Sequence, residues 1–336
     1  MRAWLLVCLV ASGCGSGSVS LSDYPDAYRD AYCRYLTRCG AFPDTGTCES
    51  ANTGLDLFID ASAQASVDMG KVVFDGETAQ KCLDEFGAQT CDTTDESGRA
   101  FPASCDHIIH GTVDAGGACA FSEECTSGMC DVPACSMACC QGTCVGDAPP
   151  PPGGPGTTCS TSSDCTSGSF CDFSLNAPVC TALKAAGETC QSTSECAYGL
   201  GCAGATTRTC KTLPKLGEPC PDGACRDAGN YCNAAGTCAK LGLAGDACTS
   251  NGDCSPFYPC DTATMQCAQG PRTGEACTTD QRCFDADTFC DLSAATPTCV
   301  TRRPDGDTCT GNSQCESRNC DQTGSAGTCT EEAVCI

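Results

Sequence analysis

The sequence predicts small disulfide-rich tandem repeats preceded by a small disulfide-stapled α-helical domain. Three observations carry that expectation: 40 of 336 residues are Cys, most of them fall at recurring intervals, and the segment ahead of those intervals carries apolar residues at helical spacing.

A cysteine share of roughly 12% exceeds the level that marks a disulfide scaffold in an exported chain. Cytosolic glutathione would keep such thiols reduced, so an oxidising compartment is expected. The hydrophobic fraction of 41% counts those cysteines; without them it falls to roughly 29%, below the usual apolar share. With one Trp, 37 Gly and 18 Pro, the chain should form several small units that need covalent staples to fold. Lys and Arg number 18 against 42 Asp and Glu, a net charge of −24, which repels a phosphate backbone and excludes nucleic acid as a partner. The acidity reads as a solvated, mutually repelling surface.

Residues 1–13 read as a signal peptide, because Met1-Arg2 is a charged start and Ala3 to Val10 is an apolar run too short to span a bilayer. The following Ala11-Ser-Gly-Cys14 resembles the bacterial lipobox, with Ala11 where Leu is usual. That resemblance implies that Cys14 is the lipidation site and the mature N-terminus. Residues 14–21, with Gly15-Ser16-Gly17-Ser18, then form a flexible lipid-anchored tether, and acyl chains would hold the protein on a membrane surface. The expected location is the bacterial cell envelope, at the outer membrane or cell surface; ordinary signal cleavage nearby would instead give a soluble secreted protein. Removing Cys8 and Cys14 from 40 leaves 38 cysteines, an even number that can close without a leftover thiol.

Residues 22–112 are expected to be a helical, cysteine-containing domain. Tyr24, Tyr28, Ala31, Tyr32, Tyr35 and Leu36 lay one face along a helix from Tyr24 to Cys39 that Gly40 stops. A second helix is predicted near Leu55 to Met69, using Leu55, Phe58, Ile59, Ala63 and Val67, and a third near Thr78 to Phe86, using Cys82, Leu83 and Phe86. The six cysteines of this region are Cys33, Cys39, Cys48, Cys82, Cys91 and Cys105. Cys33 and Cys39 point about 240° apart on a regular helix, so each should bridge to another segment.

From residue 156 to 336 six four-cysteine repeats follow the pattern C-x4-5-C-x4-6-C-x5-8-C. They are Cys159, Cys165, Cys171 and Cys180; Cys190, Cys196, Cys202 and Cys210; Cys220, Cys225, Cys232 and Cys238; Cys248, Cys254, Cys260 and Cys267; Cys277, Cys283, Cys290 and Cys299; and Cys309, Cys315, Cys320 and Cys329. Nine residues separate the last cysteine of each unit from the first of the next, which implies a fixed unit-to-unit geometry. A glycine sits three residues before every leading cysteine (Gly156, Gly187, Gly217, Gly245, Gly274, Gly306), as a turn with positive φ requires.

Residues 113–146 form a variant seven-cysteine repeat that starts at Gly116 and Cys119, continues through Cys125 and Cys130, and adds Cys135, Cys139, Cys140 and Cys144. Seven is odd and Cys335 is also left over, so either a long-range bridge joins these regions or each keeps a free thiol. Residues 147–155, with four consecutive prolines, separate it from the regular array as a Pro/Gly linker.

The motif G-[DE]-x-C-x5-C followed by two further cysteines resembles the cysteine-rich N-terminal module of Dickkopf proteins. Similar arrays occur in lipoproteins of myxobacterial type, and C-R-Y-L-T-R-C-G at Cys33 to Gly40 and H-G-T-V-D-A-G-G-A-C at His110 to Cys119 resemble the segments that precede them; this likeness spans residues 24–335. Dickkopf modules carry more than four cysteines, so the resemblance implies a fold style and not that family's receptor antagonism. Four cysteines allow three pairings, and first with third plus second with fourth is favoured by likeness to small interlocked modules. A unit of this size is roughly 20 Å across, so seven in line would reach about 140 Å as a stalk.

No catalytic constellation is present, and the chain is read as a non-enzyme. The only histidines, His107 and His110, lie in C-D-H-I-I-H, where a helix end is expected. Cys105, His107 and His110 are the one mixed metal-ligand candidate, and Cys105 is assigned to a bridge instead. C-x5-C spacing dominates over C-x-x-C, Cys139-Cys140 is an isolated vicinal pair, and Glu123-Glu124 and Asp84-Glu85 read as solvated faces; no metal or other cofactor is expected. The functional expectation is an exported, lipid-anchored cell-surface protein acting as a binding or spacer module. Its partner is a protein or surface that the sequence does not name. The alternatives are a soluble secreted protein such as a protease inhibitor, and a structural envelope component.

Overall fold

The computed structural model describes residues 17–51, 61–99, 102, 104–105, 108–133, 140–147, 151–278, 283–322 and 327–331. The chain is a small helical region followed by small two- and three-stranded sheet modules, each stapled by disulfides.

In the helical region α1 spans Tyr24–Arg38, with a proline in its first turn and Arg38 in its last, both placements that suit the helix ends. Gly40 ends it at φ +80°. α2 (Thr45–Ser50) and α3 (Ala61–Asp68) follow. Next come β1 (Val72–Phe74), α4 (Gly76–Ala88) and β2 (Ile109–Gly111). The third expected helix thus starts two residues early, because the Asp75 side chain accepts the N–H groups of Glu77 and Thr78 and caps it there. Of the second, Ala61–Asp68 is seen, and Leu55, Phe58 and Ile59 lie outside the described residues.

α1 packs on α4 through Tyr24, Tyr28, Ala31, Ala79, Leu83 and Phe86. Tyr28, Tyr32 and Tyr35 stack on Phe86 with ring centroids 5.3, 5.6 and 5.9 Å away. Burial pushes the Tyr28 hydroxyl up to about 12, and Tyr24 and Tyr32 add to it.

One unforeseen helix joins the expected ones, and a pair of strands corrects the all-helical expectation. The six-residue α2 is capped by Asp44, and β1 pairs antiparallel with β2, Val73 opposite His110. His110 therefore lies in a strand and not at a helix end, because three-residue strands are too short for alternation to be read. Disulfides tie α1 to α2 (Cys33–Cys48), the end of α1 to the loop after α4 (Cys39–Cys91), and α4 to Cys105.

Each regular repeat pairs its first cysteine with its third and its second with its fourth, as in Cys190–Cys202 and Cys196–Cys210. The variant repeat uses the same interlock, Cys119–Cys130 and Cys125–Cys144. Cys140 is disulfide-bonded as well, while Cys135, Cys139 and Cys335 lie outside the described residues.

The turn glycine has its reason in hydrogen bonding. Gly187, at φ +88°, donates its N–H to the carbonyl of Cys210 at 2.8 Å, and Cys210 donates back to Glu188 at 2.9 Å. Gly156, Gly217, Gly245, Gly274 and Gly306 make the same bond to the fourth cysteine of their own units. Each repeat thus closes on itself, around a core that in the first and sixth units consists of the four cysteines alone.

The constant junction has an equally local cause. Six residues before a unit's first cysteine, one residue pairs in parallel with that unit's second cysteine: Gly153 with Cys165, Lys184 with Cys196, Gly242 with Cys254, Arg303 with Cys315. At the third and fifth units that place is held by Pro214 and Pro271, which lack an N–H. There only the carbonyl accepts, from Arg226 and Phe284.

The stalk expectation is overturned, because the array folds back on the helical region. Ala41, Phe42 and Leu36 share one apolar cluster with Tyr258 and Phe284 of the fourth and fifth repeats, and Ser255 Oγ donates to the Ala41 carbonyl at 2.8 Å. Asp92 pairs with Asp227 of the third repeat, and Ala51 with Asp285 of the fifth. Apolar area exposed on both partners drives this contact, and an in-line array would leave it wet.

Candidate binding surface

The repeats hold a fixed frame and vary the loop between the third and fourth cysteines. In the first repeat strand Ser169–Asp172 pairs with Val179–Ala182, and in the fifth Thr288–Asp291 pairs with Thr298–Thr301 in the same register. Asp172 accepts the N–H and hydroxyl of Ser174, and Asp291 those of Ser293, which starts each loop as an Asx turn. These bonds hold both carboxyls below the usual range. Locked between them, large apolar side chains face solvent: Phe173 is 63% exposed and Leu292 50%. Such tips on a stapled hairpin lose little entropy when they are covered.

Cations brace these hairpins from behind. Lys184 lies 5.5 Å from the Phe170 ring centre and Arg303 5.5 Å from that of Phe289, with Arg303 also on Asp291 at 3.1 Å. Lys184 bonds Glu195 at 2.6 Å; burial raises the Glu195 carboxyl, and Lys184 and the Gln191 N–H more than offset it.

Two clefts lie where repeats meet the helical region. One of about 640 Å³ is lined by Phe257, Phe284, Pro256, Pro259 and Gln269 beside Ala51. The other, about 530 Å³, is lined by Arg38, Cys39, Cys91, Asp92, Asn230 and Lys240.

The metal candidates resolve into staples. Cys105 is bonded to Cys82, so it has no thiolate to give; His110 is exposed on β2, and His107 lies outside the described residues. Sulfur triplets such as Cys159, Cys165 and Cys180 lie within 4.8 Å of one another, but every member is in a disulfide.

Glu124 departs from the solvated-face expectation. It is fully buried, accepting from Ser66 Oγ at 2.6 Å and the Ala120 N–H at 2.7 Å, with Lys71 Nζ at 3.3 Å. It occupies the place before the second cysteine that Asp164, Glu195 and Asp253 fill in capping boxes. That recurring acid is visible in the sequence and marks the position as structural. A second missed signal is C-R-D-A at Cys225 and C-F-D-A at Cys283, both with six residues before the third cysteine and both in the repeats that pair with the helical region.

A family model described as the Dickkopf N-terminal cysteine-rich region matches residues 158–206. No curated protein and no solved structure matches the chain. The match covers the first regular repeat and three cysteines of the second, so this chain is similar to that cysteine-rich region as a disulfide-stapled module.

Proposed function

We propose that the chain is a non-catalytic binding module, exported and held on the envelope surface by acyl chains on Cys14, with its stapled hairpin tips as the contact surface. The observation that carries the reading is the exposure of Phe173 and Leu175 together on one rigid hairpin. Solvent-facing large apolar side chains in a locked loop are suited to capture a partner. The lipobox-like Ala11 to Cys14 supports the anchor. Val19 is buried against α4, so five residues of chain would keep the helical region within about 18 Å of the acylated cysteine. Among the described residues no helix is long and apolar enough to cross a membrane.

Palmitate labelling with a Cys14→Ser control tests the anchor: incorporation lost in the variant supports it, and none in either chain refutes it. Pull-down from envelope extracts with Phe173→Ser/Leu175→Ser tests the surface. A specific protein retained by the native chain and lost by the variant is expected; equal recovery refutes the tip as the contact.

A further inference from the structure

The Cys39–Cys91 disulfide differs from the others in what depends on it. The segment that begins at Cys91 is a hub for three repeats. The Cys91 carbonyl accepts from Ala228 and the Thr93 N–H donates to Arg226 O, both in the third repeat. Asp92 is paired with Arg226, Thr94 O accepts the Gly199 N–H of the second repeat at 2.8 Å, and Glu96 accepts from Ser167 of the first at 2.7 Å. The bridge fixes this hub to the end of α1 across a sequence separation of 52.

Both cysteines also line the 530 Å³ cleft, Cys39 buried and Cys91 half-buried, together with Arg38 and Lys240, whose charges favour a thiolate leaving group. Cys33–Cys48, by contrast, is fully buried. Cys260 and Cys283 line the other cleft, but each belongs to a repeat that keeps a second, interlocked bridge. The seam touches the bridge directly: a Cβ on Gly229 would sit 1.7 Å from the Cys39 carbonyl oxygen.

We propose that Cys39–Cys91 is a redox-sensitive latch, opened by dithiol reductants before the repeat bridges, and that its opening frees the segment at Cys91, with the first three repeats it holds, from the end of α1. A thiolate of the dithiol attacks Cys91 Sγ, the S–S bond breaks, and Cys39 leaves as a thiolate that takes a proton. The second thiol of the reductant then attacks the mixed disulfide and frees Cys91. The dithiol is oxidised to its disulfide, and its two electrons reduce the latch. Because the seam rests on the backbones of the two bridged residues, Cys39 and Cys91, opening either favours opening the other.

The test is stepwise dithiothreitol on the full exported chain, with alkylation mapped by mass spectrometry and amide exchange followed in parallel. Cys39 and Cys91 should label before any repeat cysteine, and exchange at residues 91–94 and 226–229 should rise about tenfold at that step. Repeat cysteines labelling first or together with them, or Cys39 and Cys91 labelling with exchange unchanged, overturns the proposal. Gly229→Ala, which keeps every cysteine, should open the seam and speed labelling of Cys39 and Cys91 alone. An unchanged rate in that variant refutes the coupling.

Discussion

The helical region and the regular repeats reach the same end by different cores. Between α1 and α4 the packing is seven apolar or aromatic side chains without a disulfide among them, whereas the first and sixth repeats bury four cysteines and nothing else in their clusters. The aromatic cluster is flanked by bridges but contains none; a sulfur core exists only while it is oxidised. One chain thus carries two kinds of stability, with different vulnerabilities.

Full reduction should break the comparison most visibly. Hairpin amide protection in the repeats should vanish, while helical ellipticity from α1 and α4 falls less; loss of both together would show that the aromatic core does not stand alone. Next in size, Lys71→Met leaves the Glu124 carboxylate buried without its cation, at a cost of about 3–5 kcal/mol. Denaturant unfolding should register this first at the join between α3 and the variant repeat.

Acid gives a smaller effect. Burial pushes the Asp92 carboxyl up, and Arg226 with the hydroxyl and N–H of Thr94 more than offset it, leaving it at about 2 from a usual 3.8. A depressed carboxyl contributes stability above its unfolded value and loses it as pH falls through the folded one. The seam should therefore hold at pH 4 and loosen toward pH 2, by about 2 kcal/mol, read as exchange at residues 226–229. Asp92→Asn should remove that pH dependence. The smallest effect sharpens the turn argument: Gly245→Ala, at φ +92°, should cost the fourth repeat about 1–2 kcal/mol and leave the α1–α4 packing untouched.

What the sequence reveals is local, and what it hides is not. Gly187 and its equivalents announce a turn because a single dihedral demands glycine, and α1 is legible because Tyr24, Tyr28 and Tyr35 fall on one face. The apposition of Ala41 with Ser255, 214 residues apart, has no periodic signature. C-R-D-A and C-F-D-A hint at it only once both are seen against the helical region. Glu124 reads as surface because its neighbour Glu123 suggests a charged pair, while the deciding partner, Lys71, is 53 residues away. For the binding surface, the variable loops are legible as loops; the exposure of Phe173 is not, because an aromatic two residues from a cysteine reads equally well as core.

The proline junctions at Pro214 and Pro271 carry a consequence for how such a chain changes length. Where the junction residue keeps its N–H, a unit follows its predecessor with both bonds of the bridge in place, so the array can extend along itself. Where proline removes the donor, the unit pairs its backbone with the helical region, Asp227 with Asp92 and Asp285 with Ala51. Insertion or loss of a unit between those two prolines would move one docking repeat out of reach, whereas units added after the fifth meet no such constraint. A unit inserted between Pro214 and Pro271 should therefore cost one docking contact, and a unit added after the fifth should leave both in place.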